Sequence, residues 1–258
     1  MSTAEIGERA DGGAGASMAR AVASPQLYAH VAGILYLFII VAALFGEIYV
    51  RGKLIVRGDA AATASNILAN ETLFRLGLAG ELLTCLCDVA VAGILYVLTR
   101  PVSRGVALLA ALNRLTFVSV YAVSKLFLVA ATVVLGGEGF MQAFSPQELQ
   151  SLAYLSIRMH GLGYGLSLIF FGVHCVLLGW LIYRSGYLPR TIGVLLVAGG
   201  VGYFVHSLTQ SLDPTLASTL FPWILLPAVP AELGLSLWLL LKGVDLPRWE
   251  EAVRDEAR

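Results

Sequence analysis

The chain has 258 residues, 58% of them hydrophobic and 13% charged, with mean hydropathy +0.80 and zero formal net charge. A soluble domain runs to about one half apolar and about one quarter charged, so the apolar excess reads as surface that faces lipid. Zero net charge removes any global electrostatic case for nucleic acid.

Residues 1–24 are rich in Ala, Gly and charge and lack the apolar core of a signal peptide. They are expected to form a disordered cytoplasmic tail. Six apolar runs follow, at 27–50, 73–98, 105–135, 152–183, 191–212 and 222–242. Crossing roughly 30 Å of hydrocarbon takes about 20 helical residues, so each run is long enough. All are too long and continuous for barrel strands. The expected fold is all-α: a polytopic bundle of six transmembrane helices over 25–244, then a charged cytoplasmic tail over 245–258. Cys85, Cys87 and Cys175 lie inside apolar runs and read as small buried hydrophobes.

Lysine and arginine placement sets the orientation. With the N-terminus inside, the inner segments carry Arg9, Arg20, Arg100, Arg104, Arg184, Arg190, Lys242, Arg248, Arg254 and Arg258. The outer loops carry only Arg51, Lys53 and Arg57, all between the first two spans. Arg75, Arg114, Lys125 and Arg158 fall in or near spans. The bias predicts both termini in the cytoplasm and a place in the inner (plasma) membrane.

The outer segment between the first two spans is polar. Asp59 is a good N-cap for the helix-forming run Ala60-Ala61-Ala62. On an ideal helix Thr63, Asn66 and Asn70 fall within roughly 40° of Asp59. Continued into the second span, the same stripe takes in Gly77, Glu81, Thr84 and Asp88. The segment reads either as an amphipathic helix in the interface, with Ile67 and Leu68 dipping into lipid, or as a cap over a cavity.

The second and third spans turn back near Pro101. An antiparallel hairpin centred there brings Asp88 level with Arg114 and Glu81 level with Tyr121, with Lys125 one turn away. Charges inside a membrane are costly and need partners. This cluster is either a pair of salt bridges that fixes the hairpin or a working acid–base site.

The fourth span carries His160, Ser167 and His174 at seven-residue steps on one face. His206 lies in the fifth span and Glu232 in the sixth, where Pro222, Pro227 and Pro230 make the helix irregular. These five form a second polar group. No HExxH or HxxxH spacing is present, and a zinc site needs three or four converging ligands, so no metal or cofactor is expected. Nor is there a nucleophile elbow or phosphate-binding loop; Gly161-x-Gly163-x-Gly165 reads as small-residue helix packing.

The runs GDAAATASNILANETLFRLG, CDVAVAGILYVLTRPVSRGVALLAALNRL, HGLGYGLSLIFFGVHCVLLGWLIYRSGYLPRTIGVLL and LPAVPAELGLSLWLLLKGV resemble, over 28–244, the bacterial membrane family called domain of unknown function 4386. The resemblance implies a polytopic inner-membrane protein and no established activity or cofactor. Positions matching its recurring pattern are Asp59, Thr63, Asn66, Arg75, Asp88, Arg114, His160, His174 and Glu232.

Three functions fit. The first is a small-solute or proton-coupled carrier or channel-like protein using the acid–base cluster; at six spans it implies a homo-oligomer or a small pore. The second is a non-catalytic component binding lipid or a partner through Arg51, Lys53 and Arg57. The third is a membrane-embedded enzyme or redox protein built on the histidines of spans four to six, and the balance leans away from enzyme.

Overall fold

Proline at a first helical turn loses no hydrogen bond that the helix would otherwise make. Pro25 opens helix α1 (Pro25–Leu44) in this way, and the helix runs on through a π-helical stretch, Phe45–Arg51, to Leu54. The computed structural model describes residues 24–137 and 139–256, so the expected N-terminal tail, apart from Ser24, lies outside it.

Helix α2 (Ala60–Ala69) starts where expected: Asp59 Oδ1 accepts the Ala62 amide at 2.8 Å. Asp59→Ala should lower stability by about 1 kcal/mol, the usual worth of such a cap, and a thermal melt of the variant in detergent checks it. The helix does not continue into the second span. At Asn70 the backbone turns to φ −132° and ψ 40°, and α3 (Glu71–Thr99) begins afresh. The stripe read across this point is therefore two stripes on two helices.

Helix α4 (Arg104–Leu135) completes a tight hairpin with α3. Helix α5 (Pro146–Ser185) is entered through a capping box between Ser145 and Glu148 and ends at Gly186, whose φ of 72° suits glycine. Helix α6 (Arg190–Leu212) leads through a short α7 (Pro214–Leu220) and a single turn, Trp223–Leu225, into α8 (Ala228–Leu241). Helix α9 (Leu246–Glu256) follows. Among the described residues there is no strand.

Six helical stretches are long and apolar enough to cross a membrane: Pro25–Leu54, Glu71–Thr99, Arg104–Leu135, Pro146–Ser185, Arg190–Leu212 and Trp223–Leu241. Their outer walls expose large apolar side chains such as Ile48, Leu86, Leu126 and Leu241, as a lipid-facing surface requires. Helix α5 is the central member. It packs along α4 on one side and α6 on the other, while α1 lies against α3 and α8, and α8 closes on α6.

Two seams explain the close approach. Gly172 and Gly179 on α5 face Gly200 and Gly193 on α6. A Cβ added at Gly200 would sit 2.6 Å from the Gly172 carbonyl oxygen, and one at Gly193 would sit 2.7 Å from that of Gly179. Small residues at seven-residue steps thus let backbone meet backbone, the favoured membrane packing. Where α1 crosses α3, buried Gly46 leaves room for the Glu81 carboxylate, and Gly77 faces Val50.

Helix α2 does not float in the interface. Ile67 is buried with Val50, Leu54, Leu128 and Ile157, in a cluster that caps one end of the bundle against α5; only Leu68 faces outward. Its polar side chains tie down the preceding loop. Thr63 Oγ1 bonds Val56 and Asp59, and Asn66 Nδ2 donates to Leu54 O at 3.3 Å. Asn70 Nδ2 donates to Asn66 O at 3.0 Å.

The chain after 244 is helical, not merely a charged tail. Trp249 Nε1 and Tyr187 Oη both donate to Leu98 O, at 3.1 and 2.8 Å, and Arg248 donates to Gly186 O at 2.9 Å. A carbonyl in the last turn of α3 has no partner within its own helix, so these side chains satisfy it. Burial holds the Tyr187 phenol above its ordinary pKa, so it stays a donor.

Candidate functional site

Arg114 projects from α4 into the bundle with no exposed surface. Its Nε and Nη2 donate to Asp88 Oδ1 on α3, at 3.0 and 2.5 Å. Its Nη1 lies 3.1 Å from His174 Nε2 on α5. Arginine can only donate, so His174 Nε2 accepts; the His174 Nδ1–H is then given to Ala110 O at 2.9 Å. Both ring nitrogens are thereby committed. The guanidinium lies 4.7 Å from the Tyr36 ring centroid and 5.5 Å from that of Phe171, held between aromatic faces.

About two turns away, Glu81 on α3 holds two cations. Its Oε2 meets Lys125 Nζ and its Oε1 meets Arg51 Nη1. Arg51 also donates to Glu47 Oε2, from Nε at 2.9 Å and Nη2 at 2.5 Å. Lys125 Nζ lies 3.7 Å from the Tyr121 ring centroid. The result is a chain of alternating charge, Glu47–Arg51–Glu81–Lys125, with only Glu47 well exposed. Arg51 was expected in an outer loop, free for headgroups or a partner. Its side chain is 15% exposed and is turned inward on Glu81. The π-helical stretch carries it there by displacing the helix register by about one residue.

The third feature is Glu232 on α8. Its Oε1 accepts from Tyr203 Oη at 2.7 Å and its Oε2 from Tyr36 Oη at 3.4 Å. No lysine or arginine forms an ion pair with it among the described residues.

These groups surround a cavity of about 310 Å³ to which every span contributes. Helix α1 and its extension supply Tyr36, Ile40, Glu47 and Arg51; α3 supplies Thr84 and Asp88; α4 supplies Arg114, Phe117 and Tyr121. Tyr164, Leu168 and Phe171 come from α5, Tyr203 from α6, and Val229 and Glu232 from α8. The aromatic rings touch in sequence. Tyr121–Tyr164 centroids are 5.4 Å apart, Phe117–Phe171 4.8 Å and Phe171–Tyr203 5.4 Å.

The structure thus brings Asp88, Arg114 and Tyr121 to one cavity, with Glu81 and Lys125 behind its wall. It does not assemble the second polar group. His174 and Glu232 join the cavity from different sides, but His160 turns to Ser124, its Nδ1 donating to Ser124 O at 3.2 Å. Ser167 Oγ donates to Tyr164 O at 2.6 Å. His206 sits against Phe221, ring centroids 5.7 Å apart. Among the described residues no three His, Cys, Asp or Glu side chains converge as for a metal. Asp59, Thr63, Asn66 and Asn70 stay on the capping helix and its flanks, away from the cavity lining.

Sequence reasoning missed Tyr36, Glu47, Arg51, Tyr164 and Tyr203. Tyrosine far from an interface was the available signal, because a phenol in hydrocarbon needs a partner.

Six membrane-length helices around an ionic, aromatic-lined cavity define a multi-pass helical membrane protein. The chain belongs to the family described as Domain of unknown function (DUF4386), which matches residues 31–243. A protein of Archaeoglobus fulgidus, described as an uncharacterized protein, is 29% identical over 167 residues, 65% of this chain and 83% of that one. The likeness is therefore not confined to bacteria. No solved structure matches the chain.

Proposed function

We propose that the protein is a small-solute carrier whose binding site is the central cavity, in a cell's inner (plasma) membrane with both termini cytoplasmic. The observation that carries this reading is the cavity itself: it lies between all six spans and is lined by ionisable side chains. Solute sites of carriers lie near the membrane midplane, where irregular helices meet. The π-helical stretch of α1 and the interrupted start of α8 both flank this cavity. On the far side the bundle is filled by Val91, Leu95, Leu98, Leu178 and Ile182, which close the path. Under the proposed orientation the cavity faces the outer half. With Arg51 neutralised on Glu81, the free cations of the first outer loop reduce to Lys53 and Arg57, which sharpens the positive-inside bias.

The histidine-based enzyme has less support, since His174 commits both nitrogens and His160 and His206 face elsewhere.

Purified protein in sealed vesicles should pass a small solute in a flux screen covering cations, anions, neutral solutes and protons. Ala43→Trp, which fills the cavity without orphaning a charge, should reduce that flux at least about tenfold while the protein stays folded. Flux indifferent to this substitution, or none for any solute class, overturns the reading.

A further inference from the structure

The solute's chemical class follows from the charges around the cavity, and this step rests on the carrier reading. Four carboxylates, Glu47, Glu81, Asp88 and Glu232, stand against three cations, Arg51, Lys125 and Arg114. Each cation is already matched: Arg114 to Asp88, Lys125 to Glu81, and Arg51 to Glu81 and Glu47. An anionic solute therefore meets no free cation here. The residual charge is Glu232, held only by two tyrosine hydroxyls. Both its oxygens accept, the pattern of an ionised carboxylate, since a protonated one would donate from one of them. An enclosed carboxylate without a cation is costly unless a ligand supplies the positive charge.

The walls suit that ligand. Tyr36, Phe171 and Tyr203 stand beside Glu232 in the cavity, and aromatic faces attract desolvated cations. Arg114 already uses the same surface, its guanidinium 4.7 Å from the Tyr36 centroid. A volume of about 310 Å³ lies at the lower end for ligand pockets and fits a compact solute better than a lipid chain.

We propose that the cavity binds a small organic cation, an amine or quaternary ammonium ion, with Glu232 as counter-charge and Tyr36, Phe171 and Tyr203 as an aromatic cage.

Calorimetric titration of the protein in lipid nanodiscs tests this with tetramethylammonium, choline and tetraethylammonium. Two controls accompany choline: the uncharged analogue with a quaternary carbon in place of nitrogen, and a carboxylate of similar size. At least one cation should bind, and choline or its best-fitting relative should exceed the uncharged analogue by at least about tenfold. Glu232→Gln, checked by its melting temperature, should abolish that preference. The wild-type comparison stands alone should this variant fail to fold. No binding by any of the cations overturns the proposal, as does equal binding of the analogue or carboxylate, or a folded Glu232→Gln protein that keeps the preference. Cation binding without flux keeps the site and overturns the carrier; flux of a neutral solute without cation binding does the reverse.

Discussion

Arg114→Ala is expected to destabilise the protein by about 3–5 kcal/mol, the usual cost of removing one partner of a buried ion pair. Asp88 would keep a buried charge with no donor on Oδ1, since both contacts there come from Arg114. His174 Nε2 would lose its donor, and the gap between Tyr36 and Phe171 would open. Arg114→Lys should recover little, because an ammonium lacks the fork that reaches Asp88 and His174 together and the plane that stacks on the rings. The double variant Asp88→Leu with Arg114→Met removes both charges and should regain most of the loss. Thermal unfolding in one detergent measures all four proteins. That double variant also separates the two meanings of the pair. A purely structural pair leaves flux intact once stability returns; a working pair leaves a stable protein without flux. An Arg114→Ala protein that melts with the wild type would show that the pair is not buried as described.

Gly200→Leu should be at least as damaging as ordinary overpacking, which costs about 1–3 kcal/mol. The first atom of the new side chain would meet the Gly172 carbonyl at 2.6 Å, and that neighbour is backbone, so no rotamer change relieves it. Helices α5 and α6 must separate, and Phe171 and Tyr203, on facing turns of that seam, separate with them. The control is Gly93→Leu, at an exposed position with nothing within 4 Å, which should be neutral or stabilising by up to about 1 kcal/mol from helix propensity. Gel filtration after graded heating distinguishes the two. Equal survival would contradict the packing of α5 on α6.

The pattern of what could be read in advance has a physical cause. Hydropathy is a local property, so the six spans are visible without any knowledge of neighbours. The α3–α4 hairpin is nearly as local. Two helices with equal rise leaving one tight turn have a fixed register, which is why Asp88 opposite Arg114 follows from counting outward from Pro101. Helices separated by longer connections carry no such ruler. Nothing in the spacing of α5 announces that His174 will meet Arg114 while His160, two heptads earlier, meets Ser124.

Other features were hidden by smaller effects. The break at Asn70 carries no Gly or Pro, so the polar stripe runs past it unbroken in the sequence but not in the fold. Arg51 looks like a loop cation because the first span appears to end before it; the π-helical stretch extends the helix and turns the residue inward. Helix α9 is mostly charged, and Trp249, whose indole bonds Leu98 O, is its buried anchor.

A crystal structure grown from a lipid mesophase with saturating choline tests the central claim most directly. The account predicts a compact density enclosed by Tyr36, Phe171 and Tyr203 against Glu232, with Arg114 still on Asp88. A cavity closed by its own side chains, or filled by a lipid chain with Glu232 paired to Arg114, would contradict it.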